Sequence, residues 1–95
     1  MITFNDLEFK ATTNWIGVLE GLPVAEVPLK NGWGLLVQNF PNGEYLCTLL
    51  RKINGKYLPI LNDNAYPDYK DPKSKRNNYG NKVLVEICLE KFQML

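Results

Sequence analysis

Apolar residues in this chain recur at every second position in short runs, and turn-forming pairs separate the runs. The clearest stretch is Lys30-Asn31-Gly32-Trp33-Gly34-Leu35-Leu36-Val37. Asn31-Gly32 suits a type I′ reversal, because both central residues of that turn need a positive φ. Before it, residues 24–29 predict a strand with Ala25, Val27 and Leu29 on one face. After it, residues 33–39 put Trp33, Leu35 and Val37 on one face and Gly34, Leu36 and Gln38 on the other. Pro41-Asn42-Gly43 predicts the next turn. Residues 44–53 predict the longest strand, with Tyr45, Cys47 and Leu49 on one side and Leu46, Thr48 and Leu50 on the other. Neither side is cleanly polar, so both are expected to be covered. Asn54-Gly55 then feeds a strand over residues 56–61.

Proline refines this order. Pro28 and Pro59 cannot donate to a ladder, so strands 24–29 and 56–61 are expected to be the outer members of a four-stranded meander. That holds if the N-terminal strands do not pair outside them. Gly34 leaves room for a large neighbouring side chain, or marks a bulge. Residues 1–9 predict a short strand interrupted by a turn at Asn5-Asp6, and residues 15–19 a second strand. Residues 62–82 show no apolar periodicity and read as a loop of about 20 residues, a length often associated with function.

Residues 83–95 read two ways. At a period of 3.6, Glu86, Glu90 and Gln93 make a polar stripe. Leu84, Cys88, Phe92 and Leu95 then share an apolar face flanked by Val85 and Leu89, with Asn81 placed to cap the start. At period two the segment is a strand, which the β-branched Val83, Val85 and Ile87 favour. The helix is the preferred reading. The fold expected is α+β: an antiparallel β-meander of about five or six strands with one C-terminal helix packed on the sheet. An all-β barrel or sandwich is the alternative.

Composition sets bounds on function. Ninety-five residues, 45% of them hydrophobic, make a single domain, residues 1–95, able to bury a core. The net charge of +1 gives no global field toward nucleic acid or membrane. Charge is uneven: residues 1–30 are net acidic and residues 62–82 net basic. No apolar run approaches the ~18 residues of a membrane span, and no N-terminal targeting segment is visible. Cys47 and Cys88 lie in apolar runs. Buried free thiols are preferred over a disulfide and suit a reducing, cytoplasmic setting.

The chain has no histidine, which removes the usual general base at neutral pH and the commonest zinc ligand. Ser74 is its only serine, and no phosphate-cradling glycine motif occurs. Enzymatic activity is therefore disfavoured, and no cofactor is expected. Asp63, Asp68 and Asp71 lack the spacing of a calcium loop and read as solvated turn carboxylates. Trp15 and Trp33 read as core residues rather than a ligand-stacking pair.

The 62–82 stretch mixes aromatic and basic residues. Tyr66, Tyr69, Lys73, Lys75, Arg76 and Tyr79 are the candidate contact residues. Tyrosine and arginine favour protein interfaces. The same mixture suits stacking on bases and pairing with phosphates, although the three aspartates oppose this.

Phe4-x-x-Leu7-x-Phe9, Gly17-Val18 and Asn31-Gly32-Trp33-Gly34-Leu35-x-Val37 together resemble small phage- and prophage-encoded proteins of unknown function. Those commonly end in a short apolar-rich helix. Leu36 stands where that pattern has a small polar residue, and the 62–82 stretch has no counterpart in it. The resemblance implies no catalytic residue. It implies a mobile-element accessory factor that binds and blocks a host protein. The leading expectation is thus a small, non-enzymatic intracellular binding protein with a protein partner. Single-stranded nucleic-acid binding through the 62–82 stretch comes second. Self-association through the apolar faces of strand 44–53 comes third.

Overall fold

The computed structural model describes residues 1–11, 22–59 and 77–94. Among the described residues, six strands form one antiparallel sheet, and one helix packs on it. The strands are β1 (Lys10–Ala11), β2 (Pro23–Pro28), β3 (Trp33–Asn39), β4 (Tyr45–Ile53), β5 (Lys56–Pro59) and β6 (Asn77–Gly80). The helix is α1 (Lys82–Phe92). The α+β expectation and the helical reading of the C-terminal segment therefore hold, and the all-β alternative does not.

The two Asn-Gly pairs make the reversals that fold the centre. Asn54 (φ 51°) and Gly55 (φ 81°) form a two-residue connection between Ile53 and Lys56, which are register partners. Asn31 (φ 59°) and Gly32 (φ 79°) also lie in the left-handed region. Here Lys30 adds one residue to the loop: the Leu29 N–H donates to the Trp33 carbonyl at 2.8 Å. The pairing runs Pro28↔Gly34 on to Val24↔Gln38, then Trp33↔Arg51 to Asn39↔Tyr45.

β4 is the spine of the sheet. On one side it pairs with β3 over seven positions. Its other side is shared: β5 takes Leu50 to Ile53, and β6 takes Tyr45 to Thr48. The sequence reading missed β6, placing Asn77–Gly80 inside a loop. Asn-Asn-Tyr-Gly has no apolar alternation to reveal a strand. What orders it is the unpaired backbone that a four-residue β5 leaves along a nine-residue β4.

The N-terminus also differs from expectation. The break expected at Asn5-Asp6 is there, as a 3₁₀ turn over Phe4–Asp6, but residues 1–9 form no strand on either side of it, and the first strand residues described are Lys10–Ala11. Asp6 explains the turn. Its carboxylate accepts from the Thr3 N–H at 2.8 Å and the Thr3 hydroxyl at 3.0 Å. The Thr3 backbone bond, then its hydroxyl, hold the Asp6 carboxyl below its ordinary value. β1 pairs with Val24 and Pro23, so β2 is not outermost along its whole length. Its Pro28 end has no outer partner among the described residues, as the missing donor demands. The strand expected at residues 15–19, and Trp15 with it, lies outside the described residues.

Both faces of the central strands are buried. The helix-side core joins Ala25, Val27, Trp33, Leu35, Val37, Cys47 and Leu49 to Val85, Cys88, Leu89 and Phe92 of α1. Val24, Leu36 and Leu50 form a smaller cluster on the opposite face, with Tyr57 against it. Tyr57 fills the slot that Gly34 leaves: a Cβ there would lie 2.8 Å from the ring. Trp33 is buried, with the Arg51 guanidinium 4.3 Å over its ring.

Candidate binding surface

Of the six contact residues expected from sequence, Tyr79 is the one described. Tyr66, Tyr69, Lys73, Lys75 and Arg76 lie outside the described residues, as do Asp63, Asp68 and Asp71. Tyr79 sits in β6 opposite Leu46, on the face away from α1. It is 55% exposed yet held at both ends of its ring. Phe40 meets it edge-on at 5.8 Å, and Asn42 Nδ2 donates to its hydroxyl at 2.9 Å. The Pro41-Asn42-Gly43 turn that supplies Asn42 is fixed by its own bonds, Phe40 N–H to Glu44 O and Gly43 N–H to Phe40 O. Tyr79 is thus a pre-oriented aromatic side chain that costs little ordering entropy on contact.

A second surface, which the sequence reading did not single out, lies on the other side of the molecule. The side chain of Gln93 pins the N-terminal segment to α1: Nε2 donates to the Ile2 carbonyl at 2.7 Å, and Oε1 accepts from the Ile2 N–H at 2.8 Å. Phe4 packs beside it, edge-on to Tyr45 at 5.4 Å and near Phe9 at 6.2 Å. Between this segment and α1 opens a hollow of about 460 Å³, floored by Ile2, Phe4 and Leu89 and edged by Glu86, Glu90 and Met94. An adjoining hollow of about 490 Å³ shares Ile2 and is edged by Asp6, Glu8 and Glu26, with Lys10 beside them. Volumes of this size are those of ordinary ligand clefts.

The outer side of α1 is itself partly apolar. Asn81 caps its start by accepting from the Leu84 N–H at 3.3 Å, as its position in the sequence suggested. Val85, Cys88, Leu89 and Phe92 face the sheet. Yet Val83 is 58% exposed and Ile87 54%, one turn apart on the solvent side of α1, and Met94, just past its end, is 78% exposed. In the sequence, Val83 and Ile87 counted against a helix. Once a helix is in place, the same β-branched residues are the signal of an apolar outer ridge.

Cys47 of β4 and Cys88 of α1 meet inside the core. Both are free and buried, as the apolar runs around them predicted. The two thiols share a hydrogen bond; that bond, and then burial, push the Cys47 thiol well above its ordinary range. The same bond draws the Cys88 thiol below its ordinary value, so it is Cys47 that is held neutral and made a poor nucleophile. Among the described residues no group of three histidine, cysteine, aspartate or glutamate side chains comes together to hold a metal ion. Among them, too, no helix is long and apolar enough to cross a membrane. No family model, curated protein or solved structure matches the chain.

Proposed function

We propose that this chain is a small non-enzymatic binding protein that acts by occupying the surface of a protein partner. The observation that carries the reading is Tyr79 of β6, fixed by Phe40 and Asn42 and left exposed. An exposed ring held rigid suits an interface anchor, and tyrosine is enriched among residues that dominate binding energy. Tyr66, Tyr69, Lys73, Lys75 and Arg76 complete the contact set. The phage-like Asn31-Gly32-Trp33-Gly34 pattern supports a mobile-element accessory role, in which occupying a host protein blocks it. Protein is favoured over single-stranded nucleic acid because Asp63, Asp68 and Asp71 belong to the same stretch as the basic residues and would repel phosphates.

Affinity capture from a host lysate, followed by reconstitution with the purified partner, tests this. Wild type is expected to form a stoichiometric complex. Tyr79→Ala should weaken it by about 1–2 kcal/mol, roughly tenfold in Kd, and shortening the 66–79 stretch should abolish it. Equal recovery of partners by wild type and both variants would end the proposal.

A further inference from the structure

From the apolar ridge of α1 and the acid-edged hollow beside it, we infer a second docking surface, one that takes a basic amphipathic segment of a protein partner. The inference rests on reading the chain as a binding protein, but it uses none of the residues around Tyr79. The first ground is the helix. A helix with apolar residues on both its inner and outer sides is ordinarily enclosed on both. α1 has the sheet on one side, while Val83 and Ile87 stand in solvent on the other and Met94 stands in solvent just beyond its end. β-branched residues are mediocre helix formers, so Val83 and Ile87 cost α1 a little intrinsic stability without burial to offset it.

The second ground is charge, which decides what the occupant is. Glu86 and Glu90 are one turn apart, a like-charged spacing that destabilises an isolated helix, and both edge the hollow. The adjoining hollow adds Asp6, Glu8 and Glu26. Glu8 already pairs with Lys10 at 3.8 Å and Asp6 already accepts from Thr3, so Glu86 and Glu90 carry the preference for a basic occupant, with Lys82 4.9 Å over the Phe4 ring beside them. An occupant that only filled apolar space would leave these carboxylates crowded near a dry surface, a costly arrangement. A lysine- or arginine-bearing segment lays its alkyl stems on the half-buried Ile2 and Phe4 and brings its charged ends to the glutamates. Met94 adds an exposed, adaptable thioether side chain, the kind that accommodates helices lacking one fixed sequence. The geometry is that of a helix laid along a groove, with apolar anchors three and four residues apart.

The test is a titration of the isotope-labelled full chain with a synthetic 15-residue peptide of lysine and leucine at helical spacing, followed by amide chemical shifts. A glutamate–leucine peptide of the same pattern serves as control. Saturable shifts are expected at residues 1–4 and 83–94. The Glu86→Gln, Glu90→Gln double variant should weaken binding at least tenfold, and Ile87→Asp should abolish it. Added salt should weaken it as well, since the carboxylates are exposed. Tyr79→Ala should leave it unchanged, so loss of the Tyr79 surface and loss of this one are separable. Four results would overturn the inference: no saturable shifts, shifts elsewhere on the molecule, equal binding of the acidic peptide, or concentration-dependent shifts at the same amides without peptide. The last would assign the ridge to a second copy of the chain.

Discussion

Phe92→Ala is expected to lower the unfolding free energy by about 3–5 kcal/mol, the usual cost of emptying a buried phenylalanine site. Phe92 is the largest fully buried side chain among the described residues and lies at the C-terminal end of α1, against the helix-side core. A domain of this size has about 5–10 kcal/mol in all, so the variant should lose roughly a third of its stability or more. The loss should also fall on the N-terminal segment. The next residue, Gln93, holds Ile2 by two hydrogen bonds, and a shift of the helix end loosens both. Urea unfolding of wild type and variant measures the difference, and an unchanged slope would show that stability alone moved. A cost under about 1 kcal/mol would mean that α1 is not seated on the sheet as described.

Gly34→Val should destabilise the fold by about 1–3 kcal/mol, against the ordinary preference of strands for valine over glycine. Two effects compete here. Strand propensity spans about 1 kcal/mol and favours the substitution. Packing opposes it, because the new Cβ would lie 2.8 Å from one Tyr57 ring carbon and 3.4 Å from the Leu50 Cβ. Overpacking a closed site costs more than propensity returns, so packing wins. The same substitution made in a Tyr57→Ala background should be neutral or stabilising, because the clash is gone and the propensity remains. Four stability measurements complete the cycle. Equal costs of Gly34→Val in both backgrounds would show that Tyr57 does not occupy the glycine's slot.

How far the sequence carries such reasoning differs from element to element. Residues 24–59 were legible because two independent signals agree there. Alternation assigned Leu35 and Val37 to one face and Leu36 to the other, and the Asn-Gly pairs fixed where each strand reverses. Gly34 was legible as an empty place on a crowded face, although nothing in the sequence named Tyr57 as its occupant. α1 was legible from a cap and a 3.6-residue pattern, in spite of its β-branched residues. Three features were not legible, each for a physical reason. β1 has two residues, too few for a pattern. Ile2, Phe4, Leu7 and Phe9 alternate like strand residues on either side of the Asn5-Asp6 break, but no strand forms there, because these side chains pack against the helix-side core instead of a ladder. β6 is ordered by the backbone of β4, which no side-chain pattern reports. The contact set fared unevenly: Tyr79 is exposed, whereas the hollow edged by Glu86 and Glu90 arises only when residues 1–4 and α1 are brought together, as Gln93 does.

The whole arrangement depends on α1 sealing the sheet over β4, and the thiols report on this directly. Cys47 lies on the sheet side of that seam and Cys88 on the helix side. Wild-type protein mixed with the disulfide reagent DTNB under native conditions should leave both thiols unlabelled for as long as the chain stays folded. Labelling should then rise with denaturant at the rate of global unfolding, and both sites should react together. Rapid reaction of either thiol without denaturant, at a rate indifferent to urea, would contradict a helix closed over the sheet.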